Sequence, residues 1–193
     1  DVLIAGDLAS TEDLKDTITV DNTRVNILAI LFVFVILVFN FKSITLPVLL
    51  TVVIELSIWI NLSVPYFQST TLHYIGYLII SSVQLGATID YAILLTGRYL
   101  EERKTRKRKE AATESIRVCI LSLFTSSIIL TIAGAVLGKI STNLVLSQLG
   151  TLVGRGAVIS FVLVLFVLPA ILMIFDKIIE KTTMKTQFYQ SGK

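Results

Sequence analysis

The sequence predicts an all-α integral membrane protein: a bundle of five transmembrane helices preceded by a short extracytoplasmic segment. Three observations carry that prediction. First, 54% of the 193 residues are hydrophobic and 16% charged, with a mean hydropathy of +0.81, which excludes an ordinary soluble domain and a disordered chain. Second, apolar runs long enough to cross a bilayer, at about 20 residues per span, recur five times. Third, Lys and Arg collect between those runs. The net charge of +3 is therefore a property of the connections, not the footprint of a nucleic-acid partner. Cys119 has no second cysteine to pair with, so neither a disulfide framework nor a thiolate metal site is available.

Residues 1–24 are the one water-compatible stretch, with six acids against Lys15 and Arg24. Val2–Ala5 reads as a short strand closed by Gly6, and Ser10 as the N-cap of a helix with Asp13 three residues on. The first span covers about residues 25–41 and is nearly all aliphatic and aromatic. The second, about 44–64, carries Pro47 in its first turn, where a missing donor costs little, and Glu55 near mid-membrane; Pro65, Tyr66 and Phe67 suit an interfacial connection. The third span covers about 75–97, the fourth about 116–137 and the fifth about 146–175, with Pro169 inside it. Gly134 and Gly138, then Gly150 and Gly154, form small-xxx-small pairs that favour close helix contact. Residues 176–193 read as a polar, basic tail. No secretory signal precedes the first span and the chain opens on Asp1, as part of something longer would.

Five spans place Lys42, the 98–112 connection, Arg117 and the tail on one side. Those regions hold thirteen Lys and Arg, against three (Lys15, Arg24 and Lys139) on the other. By the positive-inside rule the 98–112 loop and the C-terminus are cytoplasmic and residues 1–24 lie outside.

Asp90 is the costly residue. It lies about 12 Å inside the membrane, counting back from Arg98 at 1.5 Å per residue. A carboxylate at the bilayer centre costs on the order of 3 kcal/mol or more, and Asp is too short to snorkel that distance. Gly86 and Ser82 stand one and two turns earlier on the same ridge, where small residues let another helix approach and hide the carboxyl from lipid. An intramembrane acid of this kind points to proton carriage.

The run Gly86-Ala87-Thr88-Ile89-Asp90-Tyr91, followed by Arg98-Tyr99 and Glu101-Glu102, resembles the Gly-x-x-x-Asp-Tyr … Arg-Tyr-x-Glu-Glu pattern of the MMPL transporters of the resistance-nodulation-division (RND) superfamily. Leu149-Gly150-Thr151-Leu152-Val153-Gly154-Arg155-Gly156, then Ser160 and Leu168-Pro169-Ala170, is similar to the last helix of an MMPL half. Residues 2–24 resemble the end of the extracytoplasmic porter domain. The resemblance implies helices two to six of one half of a proton-motive-force-driven exporter of lipids or other hydrophobic molecules. It makes Asp90 and Tyr91 the proton-relay pair. The implied partners are membrane lipids, protons, a second half with its porter domains, and a hydrophobic or lipid substrate. The implied location is a bacterial-type plasma membrane.

Glu55 lies about 16 Å from the cytoplasmic end of its span, as a second protonatable group or as a hydrogen-bond partner to another helix; either role turns it toward the bundle. Ser122, Thr125, Ser126 and Ser127 are candidates to support Asp90 or relay its proton, although such hydroxyls often bond their own helix backbone. Arg155 can snorkel outward, and structural pairing is its expected task. His73 has no Cys or acid neighbours and makes no metal site. No nucleophile triad, phosphate loop or cofactor motif is present, so the chain does not read as an enzyme. The other class left open is a non-transporting bundle, such as a sterol-sensing-like module or an assembly partner, in which Asp90 and Glu55 are structural.

Overall fold

The computed structural model describes residues 7–68 and 74–183. Helix α1 spans Asp7–Phe41, α2 Thr45–Phe67, α3 Tyr74–Arg103, α4 Arg108–Ile140 and α5 Leu144–Val162. A π-helical turn at Leu163–Val167 leads into α6 (Leu168–Ile174), and α7 (Asp176–Thr182) follows. Five stretches are long and apolar enough to cross a bilayer: Thr23–Phe41, Thr45–Phe67, Ile79–Arg103, Arg108–Ile140 and Leu144–Ile174. This is a multi-pass, all-α membrane bundle, and no strand occurs among the described residues. Many large apolar side chains point outward, among them Phe39, Leu121 and Ile174. A bundle bathed in acyl chains tolerates this, because lipid is as apolar as the core.

Several boundaries differ from those the sequence suggests. Helix is already formed at Asp7 and runs unbroken to Phe41, so Ser10 sits within a helix that continues into the first span and is not its N-cap. The expected strand at Val2–Ala5 lies outside the described residues. Helix α2 continues through Pro65 to Phe67, and the connection expected there is helical. Most of the expected 98–112 loop is helical too: α3 persists to Arg103 and α4 starts at Arg108, leaving a turn at Lys104–Lys107. The expected tail begins with the helical turn α7, in which Asp176 and Ile179 are buried.

Local chemistry explains the irregular points. Lys42, with φ of 48°, occupies the left-handed region that ends α1, and its N–H bonds the Val38 carbonyl at 2.9 Å. Asn143 caps α5, its Oδ1 accepting from the Val145 and Leu146 amides at 2.9 and 3.4 Å. The π turn ends at Leu168, whose N–H reaches the Leu163 carbonyl. Pro169 follows, with no N–H and a ring that cannot sit against the preceding turn, and the widened turn relieves that conflict.

Helices α4 and α5 make the closest approach. A Cβ on Gly134 would stand 2.5 Å from the Gly154 nitrogen and 2.6 Å from the Gly150 oxygen. One on Gly138 would stand 2.8 Å from Thr151 Oγ1. Backbone meets backbone there, and no side chain fits between. The remaining core is aliphatic, with Leu37, Leu46, Leu50, Leu95, Leu168 and Leu172 fully enclosed.

Candidate functional site

Helix α3 carries polar residues on two opposite faces. On the outer face Ser82, Gly86 and Asp90 are all exposed, and a Cβ on Gly86 would meet nothing within 4 Å. The Asp90 carboxyl makes no hydrogen bond among the described residues. Tyr91 is 7% exposed and packs in the core. Adjacent residues on a helix diverge by about 100°, so Asp90 and Tyr91 point different ways, and no hydrogen bond joins them within the chain.

The other candidate residues lie apart from Asp90. Helices α3 and α4 run antiparallel, with Cys119 Sγ 3.9 Å from the Leu94 carbonyl. Four residues along each helix, Asp90 is therefore level with Leu123, between Ser122 and Ser126. Ser122, Thr125 and Ser126 are exposed and none bonds Asp90. Thr125 donates to the Leu121 carbonyl of its own helix at 2.8 Å, and Ser127 turns inward to the Ala157 carbonyl at 3.2 Å. Glu55 is half-buried. Its Oε1 is shielded and unpartnered, as is Oγ1 of Thr51 one turn earlier; the hydrogen-bond partner on another helix is not there among the described residues.

The inner face of α3 holds a network that the sequence reading missed. Gln84 Nε2 donates to the Ser57 carbonyl at 3.0 Å and to Ser57 Oγ at 3.2 Å. Ser160 Oγ stands 3.1 Å from Ser57 Oγ and 2.7 Å from Thr88 Oγ1. Asn61 Nδ2 donates to Gln84 Oε1 at 2.7 Å and to the Leu152 carbonyl at 3.0 Å. Arg155 closes the chain, its Nε donating to Asn61 Oδ1 at 2.8 Å and its Nη2 to the Asn61 carbonyl at 2.9 Å. That last bond has a cause in the sequence. Pro65 has no N–H to give the carbonyl four residues back, and in an apolar medium a freed carbonyl needs another donor. Gly156 leaves room for the network, since a Cβ there would lie 2.7 Å from Asn61 Nδ2 and 2.8 Å from Gln84 Oε1. The available signal was spacing: Ser57 and Asn61, Gln84 and Thr88, and Gly156 and Ser160 each stand one turn apart on one ridge.

A second cluster anchors the other end of α3. Arg103 pairs bidentately with Asp176, Nε to Oδ1 and Nη2 to Oδ2, both at 2.8 Å. The Tyr99 hydroxyl donates to Asp176 Oδ1 at 2.7 Å. All three residues are at most 5% exposed. Arg98 pairs with Glu101 at 2.9 Å and with Glu102 at 3.2 Å, and Glu102 also holds Arg106 at 3.0 Å. The Arg-Tyr-x-Glu-Glu stretch thus clamps the turn to the last helices. Among the described residues no group of three His, Cys, Asp or Glu gathers to hold a metal; His73 lies outside them.

Comparison with known proteins agrees with this architecture. The chain is 28% identical to the trehalose monomycolate exporter MmpL3 of Mycobacterium tuberculosis over 189 residues, 97% of this chain and 20% of that protein. It is 25% identical to the putative membrane protein ActII-3 of Streptomyces coelicolor over 181 residues, 91% of this chain and 25% of that protein. The chain therefore spans a fifth to a quarter of the length of these relatives. The MMPL family model matches residues 1–191, and the chain belongs to the MMPL family.

Proposed function

We propose that this chain supplies helices two to six of one transmembrane half of a proton-driven exporter of lipids or other hydrophobic molecules, with Asp90 as its proton carrier. One observation carries the reading: Asp90 stands within a membrane span, on an exposed face, with no hydrogen-bond partner among the described residues. Facing acyl chains, such a carboxylate would cost on the order of 3 kcal/mol or more. A second bundle laid against Ser82, Gly86 and Asp90 removes that exposure, and the two small residues permit close approach. Across that seam a partner supplies the hydrogen-bonding group that Tyr91 does not supply within the chain. The lack of a bond to Asp90 among the described residues supports this reading over a purely structural one.

The carboxyl then loads a proton from one side and releases it to the other, and each proton moved yields about 2.3 kcal/mol per 100 mV of membrane potential. The 104–107 turn is cytoplasmic, by the excess of Lys and Arg at that end, and residues 1–24 lead into porter domains outside. Glu55, Ser122 and Ser126 are reserve groups near the same depth. The likeness to an exporter of trehalose monomycolate supports an amphiphilic cargo. The work is translocation in a bacterial plasma membrane, without enzymatic turnover or a cofactor.

Asp90→Asn in the complete transporter tests this. It keeps the shape and hydrogen bonding and removes the titration. Export should fall to background, with insertion and expression unchanged. Export at the wild-type rate would overturn the proton-carrier role.

A further inference from the structure

A crevice between α4 and α5 has the makings of a lipid site of its own. Its walls are mostly small and apolar, formed by Ala135, Gly138, Gly154 and Val158 with two threonines, and two cations stand in its lining, Lys139 and Arg155. Neither cation has an acidic partner among the described residues. Arg155 spends Nε and Nη2 on the neutral Asn61, which leaves its charge uncompensated and Nη1 without a bond among those residues. Lys139 is exposed in the last turn of α4, where a bilayer's headgroups begin. Arg155 lies deeper on α5, its guanidinium bonded to Asn61 with Nη1 left over. No acid lines the crevice.

From this geometry we infer that the α4–α5 crevice binds an anionic phospholipid of the surrounding bilayer, with the phosphate held between Lys139 and Arg155. Arginine's planar fork suits a phosphate bidentately, and a lysine beside it adds a point charge. The open crevice offers about 270 Å³, room for a phosphate-bearing group but not for two acyl chains. The chains instead lie along the exposed Ile132, Val136, Val158 and Val162, of which Val158 also lines the crevice. Gly138 and Gly154, from the close α4–α5 contact, line that crevice. The inference is independent of whether Asp90 carries protons.

Photocrosslinking from a position in the crevice wall tests it without interference from the basic turn at the other end of the bundle. The complete protein carrying Val158→p-benzoylphenylalanine is placed in nanodiscs of equal parts phosphatidylglycerol and phosphatidylcholine, and the captured lipids are identified by mass spectrometry. Phosphatidylglycerol should be captured several-fold over phosphatidylcholine at position 158, and at parity from the same photoresidue at the lipid-facing Leu121. Lys139→Gln, an exposed substitution that leaves the Asn61 bonds intact, should bring the ratio at 158 close to parity, as should Arg155→Gln. Parity at 158 in the otherwise unaltered protein would overturn the site. So would an equal preference at positions 121 and 158, or a preference at 158 that survives Lys139→Gln.

Discussion

The two faces of α3 differ in how their polar groups are satisfied. On the inner face Gln84 and Thr88 are bonded into a network that crosses α2, α3 and α5, and Tyr99 and Arg103 are locked to Asp176. On the outer face Asp90 bonds nothing among the described residues, and Ser82 and Gly86 beside it are open. Both faces belong to one helix in one apolar medium, so the penalty for an unpaired polar group is similar on each. The inner groups are the mortar of this bundle. The outer carboxyl makes physical sense only against something outside it. Burial within the chain marks the structural polar residues of α3, most of them bonded although Thr96 Oγ1 is not, and the exposed, unbonded carboxyl of Asp90 is the candidate for function.

The inner clamp is where the contrast should break most heavily. Asp176→Ala leaves Arg103 buried without its counter-charge, and removing one partner of a buried pair costs about 3–5 kcal/mol. Thermal unfolding in detergent micelles should show a large loss. A change below 1 kcal/mol would mean that the clamp contributes no more than a surface pair.

Gln84→Leu on the same face should cost less, about 1–3 kcal/mol, because it strips acceptor and donor from Asn61 and Ser57. Asn61 retains the Leu152 carbonyl, and Ser57 retains Ser160, which holds the loss toward the lower end. Denaturant titration of the same micelles measures it. Retention of full stability would show that the network is dispensable.

The smallest effect sharpens the other side of the comparison. Gly86→Ala meets nothing in this bundle, and Ala improves helix propensity by about 0.5–1 kcal/mol. The isolated chain should be unchanged or slightly stabilised, while export by the complete transporter falls, because a methyl group now stands in the seam beside Asp90. Gly134→Ala supplies the contrast: its Cβ would stand 2.5 Å from the Gly154 backbone, so it should destabilise the chain itself. Destabilisation by Gly86→Ala would show that the outer face of α3 is packed within the chain after all.

Legibility in the sequence tracked the locality of the physics. Hydropathy found the five spans because one helix must cover the hydrocarbon alone, and it erred where polar residues extend a helix past the membrane, as at Asp7–Thr23 and Arg98–Arg103. The glycine pairs on α4 and α5 were readable because close approach needs small residues at fixed spacing. The Asp90–Tyr91 pair stood out as a motif, yet the motif does not reveal that the two side chains diverge. The network of Ser57, Asn61, Gln84, Thr88, Ser160 and Arg155 is not legible in the sequence, because each member alone looks like an ordinary polar residue in a span.

The sequence by itself determined the number of spans, their order, the clustering of basic residues at one end and the depth of the one aspartate within them. Each follows from the cost of placing a given side chain or an unpaired peptide in hydrocarbon, which depends on residue type and local run length. Only the tertiary structure decided which face of each helix turns inward. In water an amphipathic stripe would announce that face. In lipid both faces are apolar, and the choice falls to packing and hydrogen bonds between residues far apart in the chain. Arg103 meets Asp176 across 73 residues, and Arg155 satisfies the carbonyl that Pro65 left free across 94. Those meetings turn Gln84 and Thr88 inward, and with them they turn Asp90 out.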